Sequence, residues 1–482
     1  MATRLLQNYL EDKDGTRSFA APSPVQQNHN TTMQSKDRII LAVDVDNPDA
    51  AMKLVSTLGS VVGSFKFGLE LIYAMLASIL EGDAEQAAKN AAHIRDLFRL
   101  AGRQLFLDGK FDDIPNTVGA AAKIVGQNIK VGMFNVHASA GTEAMMAAAQ
   151  NAGASKTLAL TVLTSREEND AHLDFGKPSK AAVLHFARNA KMAGLTGIVC
   201  SPQELQLLNS RPELKGQLKV TPGIRSPDDP PDDQKRTMTA REAIAMGADY
   251  VVVGRPITKA ADPVVAAQKM ASEISLGLRD RFALELFGLK NIKFGAFKLK
   301  LHETQPQAPL SPIYLNIRGL PEWLYALAGD ILHDLVIHEG ITDFDYVIGI
   351  PKAGEPIGMA LAKALGKPHI RIKKEEGDGG RHISSQILDP FQGGSRVLLV
   401  DDLVTRAGTK REAIASVEAN GLKVVATVVL YDREQGGLAE LNREGHKVVA
   451  ASKLSEALEL LVAKGKITSD KKDEVTAYIA AN

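Results

Sequence analysis

Eight short apolar runs recur between residues 39 and 253, and Ala-rich segments with helical patterns separate them. The runs cover residues 39–43, 64–67, 104–107, 129–136, 157–163, 197–200, 218–221 and 250–253. Apolar runs that alternate with helical segments are typical of parallel strands connected by helices. Eight such units in about 240 residues predict a closed (β/α)8 TIM barrel, so the chain is expected to begin with an α/β domain.

Polar residues follow these runs, at the positions where the strands are expected to end. They are Asp44, Lys66, Asp108 with Lys110, His137, Thr164 with Ser165, Ser201, Gly223 with Arg225, and Gly254 with Arg255. Barrels of this type carry their active sites at the carboxyl ends of the strands. The pattern therefore predicts a site for a polar, anionic ligand, with Gly254 and Arg255 placed to bind a phosphate.

The third run leads into the sequence Asp108-Gly109-Lys110-Phe111-Asp112-Asp113-Ile114-Pro115-Asn116-Thr117. Side chains alternate along a strand, so Asp108 and Lys110 are expected on the same side, with Asp113 in the following loop. Charges at a strand end are often solvated surface residues. The polar residues at the other strand ends favour a paired network at a site instead.

Five segments resemble the orotidine 5'-phosphate decarboxylase family across residues 38–275. They are residues 41–44, 66–68, 108–117, 220–225 and 252–256. The Asp-x-Lys-x-x-Asp-Ile-Pro-Asn-Thr motif is the most specific of them. Gly109 stands where the family commonly has an apolar residue, and it is expected to face away from the site. Residues 72–100 exceed one helix and are expected to form a helical elaboration.

The resemblance implies a role for each matching residue. Lys110 would protonate the carbanion left at C6 of the pyrimidine, and Asp108 would disfavour the substrate carboxylate. Lys66 and Asp44 would hold the ribose and orient Lys110. Asp113 is implied as a further catalytic residue, and it and Thr117 would act across a dimer interface. The remaining expected substrate contacts are Ser165 at the base, Gln234 between base and phosphate, Gly254 with Arg255 at the phosphate, and Pro222. No cofactor or metal is expected in this half.

Other interpretations of the barrel residues stay open. A structural role for His137 is at least as well supported as a ligand contact, and Cys200 is expected to be a small buried apolar residue. Keto-gulonate phosphate decarboxylases share the Asp-x-Lys-x-x-Asp pattern. They usually have an acid where this chain has Lys66.

A second motif, residues 397–409, consists of four apolar residues, Asp401-Asp402 and a Thr/Gly loop. Loop amides of this kind suit a phosphate, and the acids suit ribose hydroxyls. The motif resembles type I phosphoribosyltransferases. Residues 293–300, 311–314, 373–375 and 430–437 narrow the resemblance to orotate phosphoribosyltransferase.

The second resemblance also implies roles. Thr405 and Arg433 would bind the orotate carboxylate, and Tyr314 would lie near the pyrimidine. The other expected contacts are Lys300, Lys373 and Lys374 at the diphosphate, Asp401 and Asp402 at the ribose, and Ala407, Gly408 and Thr409 at the 5-phosphate. Mg2+ would be held mainly by the substrate.

Two segments depart from the transferase pattern. Residues 376–382 replace the usual loop sequence, so Arg381 and His382 are only candidates for its basic residues, and Lys352 is offset from its common position. A catalytically silent nucleotide-sensing or assembly module is therefore an alternative for the second half. Two nearly complete sets of charged site residues argue against the interpretation of the whole chain as a structural scaffold.

Three segments are predicted: a disordered arm at residues 1–36, a decarboxylase barrel at 37–275 and a transferase domain at 283–482. Lys plus Arg and Asp plus Glu both number 57, which gives no indication of bulk nucleic-acid binding. No apolar stretch is long enough to span a membrane. A single cysteine fits a reducing compartment, so a cytoplasmic enzyme is expected, with small-molecule substrates and a homodimer or larger homo-oligomer.

Overall fold

The computed structural model of the protein describes residues 33–163, 166, 168–225, 237–298, 302, 306–377 and 380–481. Eight parallel strands form a closed barrel in sequence order, which confirms the predicted TIM-barrel domain. The strands are β1 Ile39–Ala42, β2 Ser64–Phe67, β3 Leu105–Phe111, β4 Met133–His137, β5 Lys156–Leu160, β6 Gly197–Val199, β7 Leu218–Thr221 and β8 Tyr250–Val253. Each lies within or overlaps one of the eight apolar runs.

Helices connect the barrel strands and cover their outer faces. They are α1 Pro48–Leu58, α2 Leu69–Leu80, α3 Ala84–Ala101, α4 Pro115–Lys123, α5 Thr142–Asn151, α6 Glu168–Phe175, α7 Ser179–Met192, α8 Leu205–Asn209, α9 Ala240–Ala245, α10 Arg255–Thr258 and α11 Pro263–Gly288. The expected elaboration after β2 is a pair of helices, α2 and α3. The Asp83 carboxylate caps α3 by accepting hydrogen bonds from the amides of Glu85 and Gln86.

The barrel axis is filled by side chains. Ile40, Phe106, Met133, Leu158 and Val220 form a buried cluster inside the strands, with Tyr250 and Val252. A filled interior leaves the carboxyl ends of the strands as the open, polar end of the barrel.

The second domain is built on a four-stranded parallel sheet in the order β11-β14-β15-β16, with two antiparallel pairs, β9-β10 and β12-β13. Its strands are β9 Ile292–Phe297, β10 Ser311–Leu315, β11 Tyr346–Gly349, β12 Ile372–Gly377, β13 Gly380–Ile387, β14 Arg396–Val404, β15 Lys423–Asp432 and β16 Val448–Lys453. Its helices are α12 Glu322–His338, α13 Gly354–Leu365, α14 Gly408–Ala419, α15 Gly437–Arg443, α16 Leu454–Ala463 and α17 Ser469–Ala481.

Helix α11 joins the two domains without interruption. Its 26 residues run through 276–282, the segment left between the two predicted domains. Gly277, which lies in that segment, is a packing residue. A Cβ there would lie 2.6 Å from the Arg241 carbonyl oxygen and 2.9 Å from Ile244 Cβ, so glycine allows α11 to approach α9 closely. None of the helices that the structure describes, α11 included, is both long enough and apolar enough to cross a membrane.

Residues 33–38 tie the start of the barrel to α12 of the second domain. The Arg38 guanidinium pairs with the Asp330 carboxylate at 2.5 Å, and both side chains are almost fully buried. The amides of Met33 and Ser35 donate to the carboxylates of Asp330 and Asp334 at 3.1 and 3.0 Å. Burial raises the pKa of Asp330 to about 6, although Arg38 opposes this. The expected disorder of residues 1–36 is therefore wrong for residues 33–36, and residues 1–32 lie outside the described ranges.

Candidate active sites

A cavity of about 290 Å3 opens at the carboxyl ends of the barrel strands. Eight of the residues predicted for the barrel site line it, and they come from several different strands of the ring. They are Asp44, Lys66, Asp108, Lys110, Pro222, Arg225, Gly254 and Arg255. The structure therefore brings together residues that lie up to 211 positions apart in the sequence, the separation of Asp44 and Arg255.

Four charged side chains form a continuous ladder in this cavity. The Lys110 ammonium lies 2.8 Å from Asp108 Oδ2, and the Lys66 ammonium lies 3.2 Å from the same oxygen. Lys66 also donates to Asp44 Oδ1 at 3.2 Å. The side chain of Asp108 is 9% exposed and that of Asp44 is 58% exposed, so the ladder runs from the barrel interior to solvent.

Charge pairing overcomes burial in setting the protonation of the inner pair. Burial alone would raise the pKa of Asp108, but Lys66 and Lys110, with hydrogen bonds from Lys110 and Asn135, lower it below its usual value. Burial would lower the pKa of Lys66, but Asp108 and Asp44 raise it above its usual value. Asp108 is therefore a carboxylate and Lys66 an ammonium at neutral pH.

The backbone of β3 changes at Gly109 and Lys110. The pairing of β3 with β4 shifts register between Leu107 and Phe111, and Lys110 has φ +50°, in the left-handed region that non-glycine residues rarely adopt. The predicted contact between Asp108 and Lys110 is present. It does not arise from the regular alternation of side chains along a strand, because the irregular backbone at Lys110 sets the direction of its side chain. Backbone strain of this kind concentrates at functional sites.

Asn135 belongs to this cluster and is absent from the predicted site residues. It lies on β4, is 1% exposed, and donates from Nδ2 to Asp108 Oδ1 at 2.6 Å. Its Oδ1 accepts from the Lys110 amide at 2.8 Å. A polar residue inside an apolar strand, two positions before His137 and so on the same face, was the available signal.

Two arginines also line the cavity. Arg255, at the start of α10, and Arg225, after β7, both line it beside Gly254. Two guanidinium groups close to backbone amides suit an anionic group such as a phosphate. The predicted phosphate end is therefore chemically consistent with the arrangement.

The remaining candidates of the barrel half differ in where they lie. Asp113 and Thr117 are exposed and do not line the cavity of their own chain, and Asp113 Oδ1 accepts from the Ile114 amide at 2.7 Å. Cys200 lines the cavity but is buried, and burial raises the pKa of its thiol, as expected of an unreactive cysteine. Thr164, Ser165 and Gln234 lie outside the described residues.

A second group of charged residues lies at the carboxyl edge of the four-stranded sheet. Strand β14 continues through Asp401 and Asp402 to Val404. Asp401 is buried and pairs with the buried ammonium of Lys410 at 2.6 Å. Lys410 also donates to the Leu403 carbonyl oxygen at 2.5 Å, and it was not among the predicted residues. This lysine fixes the bend between β14 and α14.

Asp402 lies on β14 next to the Asp401–Lys410 pair. Burial and the neighbouring Asp401 raise the pKa of Asp402 above its usual value, while Lys410 opposes the shift. Asp402 is therefore protonated more readily than an ordinary aspartate. The pair is therefore suited to binding hydroxyl groups or a cation-bearing ligand.

Arg433 links the sheet edge to the antiparallel pair β9-β10. It is 4% exposed and donates from Nη2 to Ser311 Oγ at 3.3 Å, and burial lowers its pKa. Tyr314 on β10 packs against Phe297 with ring centroids 5.7 Å apart. A buried guanidinium bonded to β10, whose Tyr314 ring packs on Phe297, suits a planar ligand with a carboxylate.

The loop after β14 contains the predicted phosphate contacts Ala407, Gly408 and Thr409, and also Thr405, which was predicted to bind a carboxylate. Thr405 and Thr409 are half-buried, Ala407 is buried, and Gly408 begins α14. The Thr405 carbonyl oxygen accepts from the Gly437 amide at 3.0 Å, and a Cβ on Gly437 would lie 2.6 Å from that oxygen. Glycine is needed at 437 for this loop to pack on α15.

The remaining basic candidates of the second domain are either exposed or outside the described part of the chain. Lys352 and Lys373 are exposed. Residue Lys300 and the side chains of Lys374, Arg381 and His382 lie outside the described part of the chain.

Comparison with known proteins agrees with this division. The sequence model described as the orotidine 5'-phosphate decarboxylase / HUMPS family matches residues 37–270, and that of the phosphoribosyl transferase domain matches residues 327–450. The orotidine 5'-phosphate decarboxylase of Syntrophomonas wolfei is 40% identical over 256 residues, which covers 50% of this chain and 99% of that protein. The corresponding protein of Heliobacterium modesticaldum is 38% identical over 260 residues and is covered completely. The solved structure of Leishmania donovani UMP synthase aligns with 93% of this chain at 22% identity and a TM-score of 0.42.

Proposed function

Because the chain belongs to the orotidine 5'-phosphate decarboxylase family through its N-terminal half, and carries a phosphoribosyl transferase domain after it, we propose that it catalyses the last two steps of UMP synthesis. The second domain joins orotate to phosphoribosyl diphosphate, giving orotidine 5'-phosphate and pyrophosphate. The barrel then converts orotidine 5'-phosphate to UMP and CO2. The product of one domain is the substrate of the other.

The observation that carries the decarboxylase assignment is the contact of two ammonium groups with Asp108 inside the cavity. Loss of CO2 breaks the bond at C6 of the pyrimidine and leaves the electron pair on that carbon. The Lys110 ammonium stabilises this carbanion and then donates a proton to it. Asp108 disfavours a second carboxylate beside it, and that carboxylate leaves as CO2. An acid at the position of Lys66, as in keto-gulonate phosphate decarboxylases, would not supply this charge.

Binding at the far end of the substrate supports the reaction at C6. Arg255 and the Gly254 backbone hold the phosphate, while Asp44 and Lys66 hold the ribose hydroxyls. Binding energy from these groups positions the base over Lys110. Ser165, Pro222 and Gln234 are proposed as the contacts to the base.

In the transferase half, Asp401 and Asp402 orient the ribose, and the loop residues 407–409 hold the 5-phosphate. Thr405 and Arg433 pair with the orotate carboxylate beside Tyr314. Lys300, Lys373 and Lys374 are proposed to bind the diphosphate. Mg2+ bound to the diphosphate would supply positive charge for the leaving group. Because Asp401 is paired with Lys410, the ion would be held mainly by the substrate.

The direct test is UMP formation from orotate, phosphoribosyl diphosphate and Mg2+ by the full chain. Both orotate consumption and UMP release are expected. UMP release from added orotidine 5'-phosphate, without orotate consumption, would instead support the silent-module interpretation of the second domain. A reducing compartment such as the cytoplasm fits this single-cysteine chain.

We further propose that the barrel acts as a homodimer in which Asp113 and Thr117 complete the site of the partner. Both residues lie outside the cavity of their own chain, next to Ile114, an apolar side chain that is 66% exposed. Mixing Lys110→Ala chains with Asp113→Ala chains is expected to restore decarboxylation, because a mixed dimer contains one intact site. The two variants measured separately provide the baseline. Proven subunit exchange without any recovery would show that each site is built within one chain.

A further inference from the structure

The side-chain amide of Asn135 is the only group in the described cavity lining that the structure shows bonded both to Asp108 and to the Lys110 backbone. Asp108 Oδ2 receives the two ammonium groups, whereas Asp108 Oδ1 receives Asn135 Nδ2 at 2.6 Å. The two oxygens of the carboxylate therefore have different partners. Asn135 prevents the carboxylate from turning about its own axis.

The second bond of Asn135 explains how Lys110 keeps its unusual backbone conformation. The register shift between β3 and β4 removes Lys110 from the regular strand pairing, and its amide donates to Asn135 Oδ1 at 2.8 Å instead. A buried amide without a partner would be destabilising, and a left-handed lysine is strained in addition. The side-chain amide of Asn135 thus stabilises the conformation that aims the ammonium at the cavity.

The orientation of the Asn135 amide is fixed by chemistry. Turning it over would place its oxygen against Asp108 Oδ1 and its NH2 group against the Lys110 N–H. Both contacts would be repulsive. The 1% exposure of Asn135 leaves no solvent to relieve them.

We propose that Asn135 is a positioning residue of the decarboxylase site, which holds Asp108 and Lys110 in register with each other. It acts through these two residues and bonds to neither the phosphate nor the ribose end of the cavity. This inference rests on the proposed decarboxylation. Because Asn135 acts only through Asp108 and Lys110, loss of its side-chain amide is expected to lower kcat for orotidine 5'-phosphate and leave KM nearly unchanged.

Asn135→Leu keeps the size of the side chain and removes both hydrogen bonds. We expect kcat to fall about 10- to 100-fold, which corresponds to the loss of one hydrogen bond to a charged group, with KM within about threefold. Asn135→Ser, a smaller and still polar change, provides a second measurement if the leucine variant does not fold. The matched control is Asn209→Leu, because Asn209 donates to the Met246 carbonyl oxygen away from the cavity. That change is expected to lower thermal stability without lowering kcat.

Asn135→Asp gives a readout that a purely structural role would not produce. In its protonated form, the introduced carboxyl group could still donate to Asp108 and accept from the Lys110 amide, whereas its ionised form would repel Asp108. The two carboxyl groups are expected to share one proton, so activity should rise as the pH falls from about 8 to about 5. The parent enzyme should lose activity or stay level over that range.

Parent-like kcat in folded Asn135→Leu, or a parent-like pH profile in Asn135→Asp, would overturn the inference. A parent enzyme that fails to decarboxylate orotidine 5'-phosphate would instead overturn the proposed function. The two failures are distinguished by the parent control.

Discussion

Lys110→Ala is expected to lower the conversion of orotidine 5'-phosphate to UMP by at least about 10²–10⁴-fold, the range associated with one positioned proton donor. Lys110 is the group proposed to protonate C6, and Lys66 is held 3.2 Å from both Asp108 and Asp44. Lys66 therefore cannot take over this role without leaving two carboxylates. Synthesis of orotidine 5'-phosphate from orotate should be unchanged, because the transferase site uses residues of the other domain. Both reactions are measured on the same preparation.

Lys123→Ala is the matched control for this substitution. Lys123 is an exposed lysine at the end of α4, outside the cavity lining, so both activities should equal those of the parent. A decarboxylation rate in Lys110→Ala close to that of the parent would show that Lys110 is not the proton donor. Loss of both activities would point to unfolding, which thermal denaturation would reveal.

Chelation with EDTA is expected to stop orotate consumption almost completely and to leave decarboxylation of added orotidine 5'-phosphate nearly unchanged. The diphosphate carries a high negative charge that must be neutralised as it leaves. In the barrel, Lys66, Lys110 and Arg255 supply the positive charge from the protein itself. Readdition of Mg2+ should restore the first reaction.

Asp402→Asn provides the companion measurement to chelation. It should reduce the transferase reaction alone, because Asp402 lies on β14 of the second domain. If EDTA silences both reactions while the protein stays folded, the metal-free mechanism of the barrel is wrong. The metal-dependent keto-gulonate type of chemistry would then be favoured.

The barrel was predictable because its strands are buried on both faces. Such strands are short, continuous apolar runs, and the polar residue after each run marks the carboxyl end. Asp44, Lys66, Asp108 and Lys110 were identified in this way, and their convergence on one cavity agrees with the prediction. The distances and the charge states follow only from the closed ring, which no local pattern specifies.

Three features were not predictable for physical reasons. The bond from Asn135 to Asp108 depends on the register between β3 and β4, which shifts at this point. The pairing of Lys410 with Asp401 depends on the bend between β14 and α14. The continuity of α11 through residues 276–282, which include Gly277, was not predicted. The close approach of α9, which requires that glycine, is a tertiary contact.

Because α11 is unbroken, the number of residues at the junction determines how the second domain is rotated relative to the barrel. Each residue of an α-helix turns the chain by about 100° and advances it by about 1.5 Å. Inserting one residue after Gly277 would therefore swing the whole transferase domain around the barrel and carry Asp330 away from Arg38, whose pairing needs a separation of 2.5 Å. A flexible linker would absorb such a change, whereas this helix transmits it in full. An insertion or deletion in the junction is thus expected to be tolerated as poorly as a substitution in a core, even where the side chains of α11 face solvent.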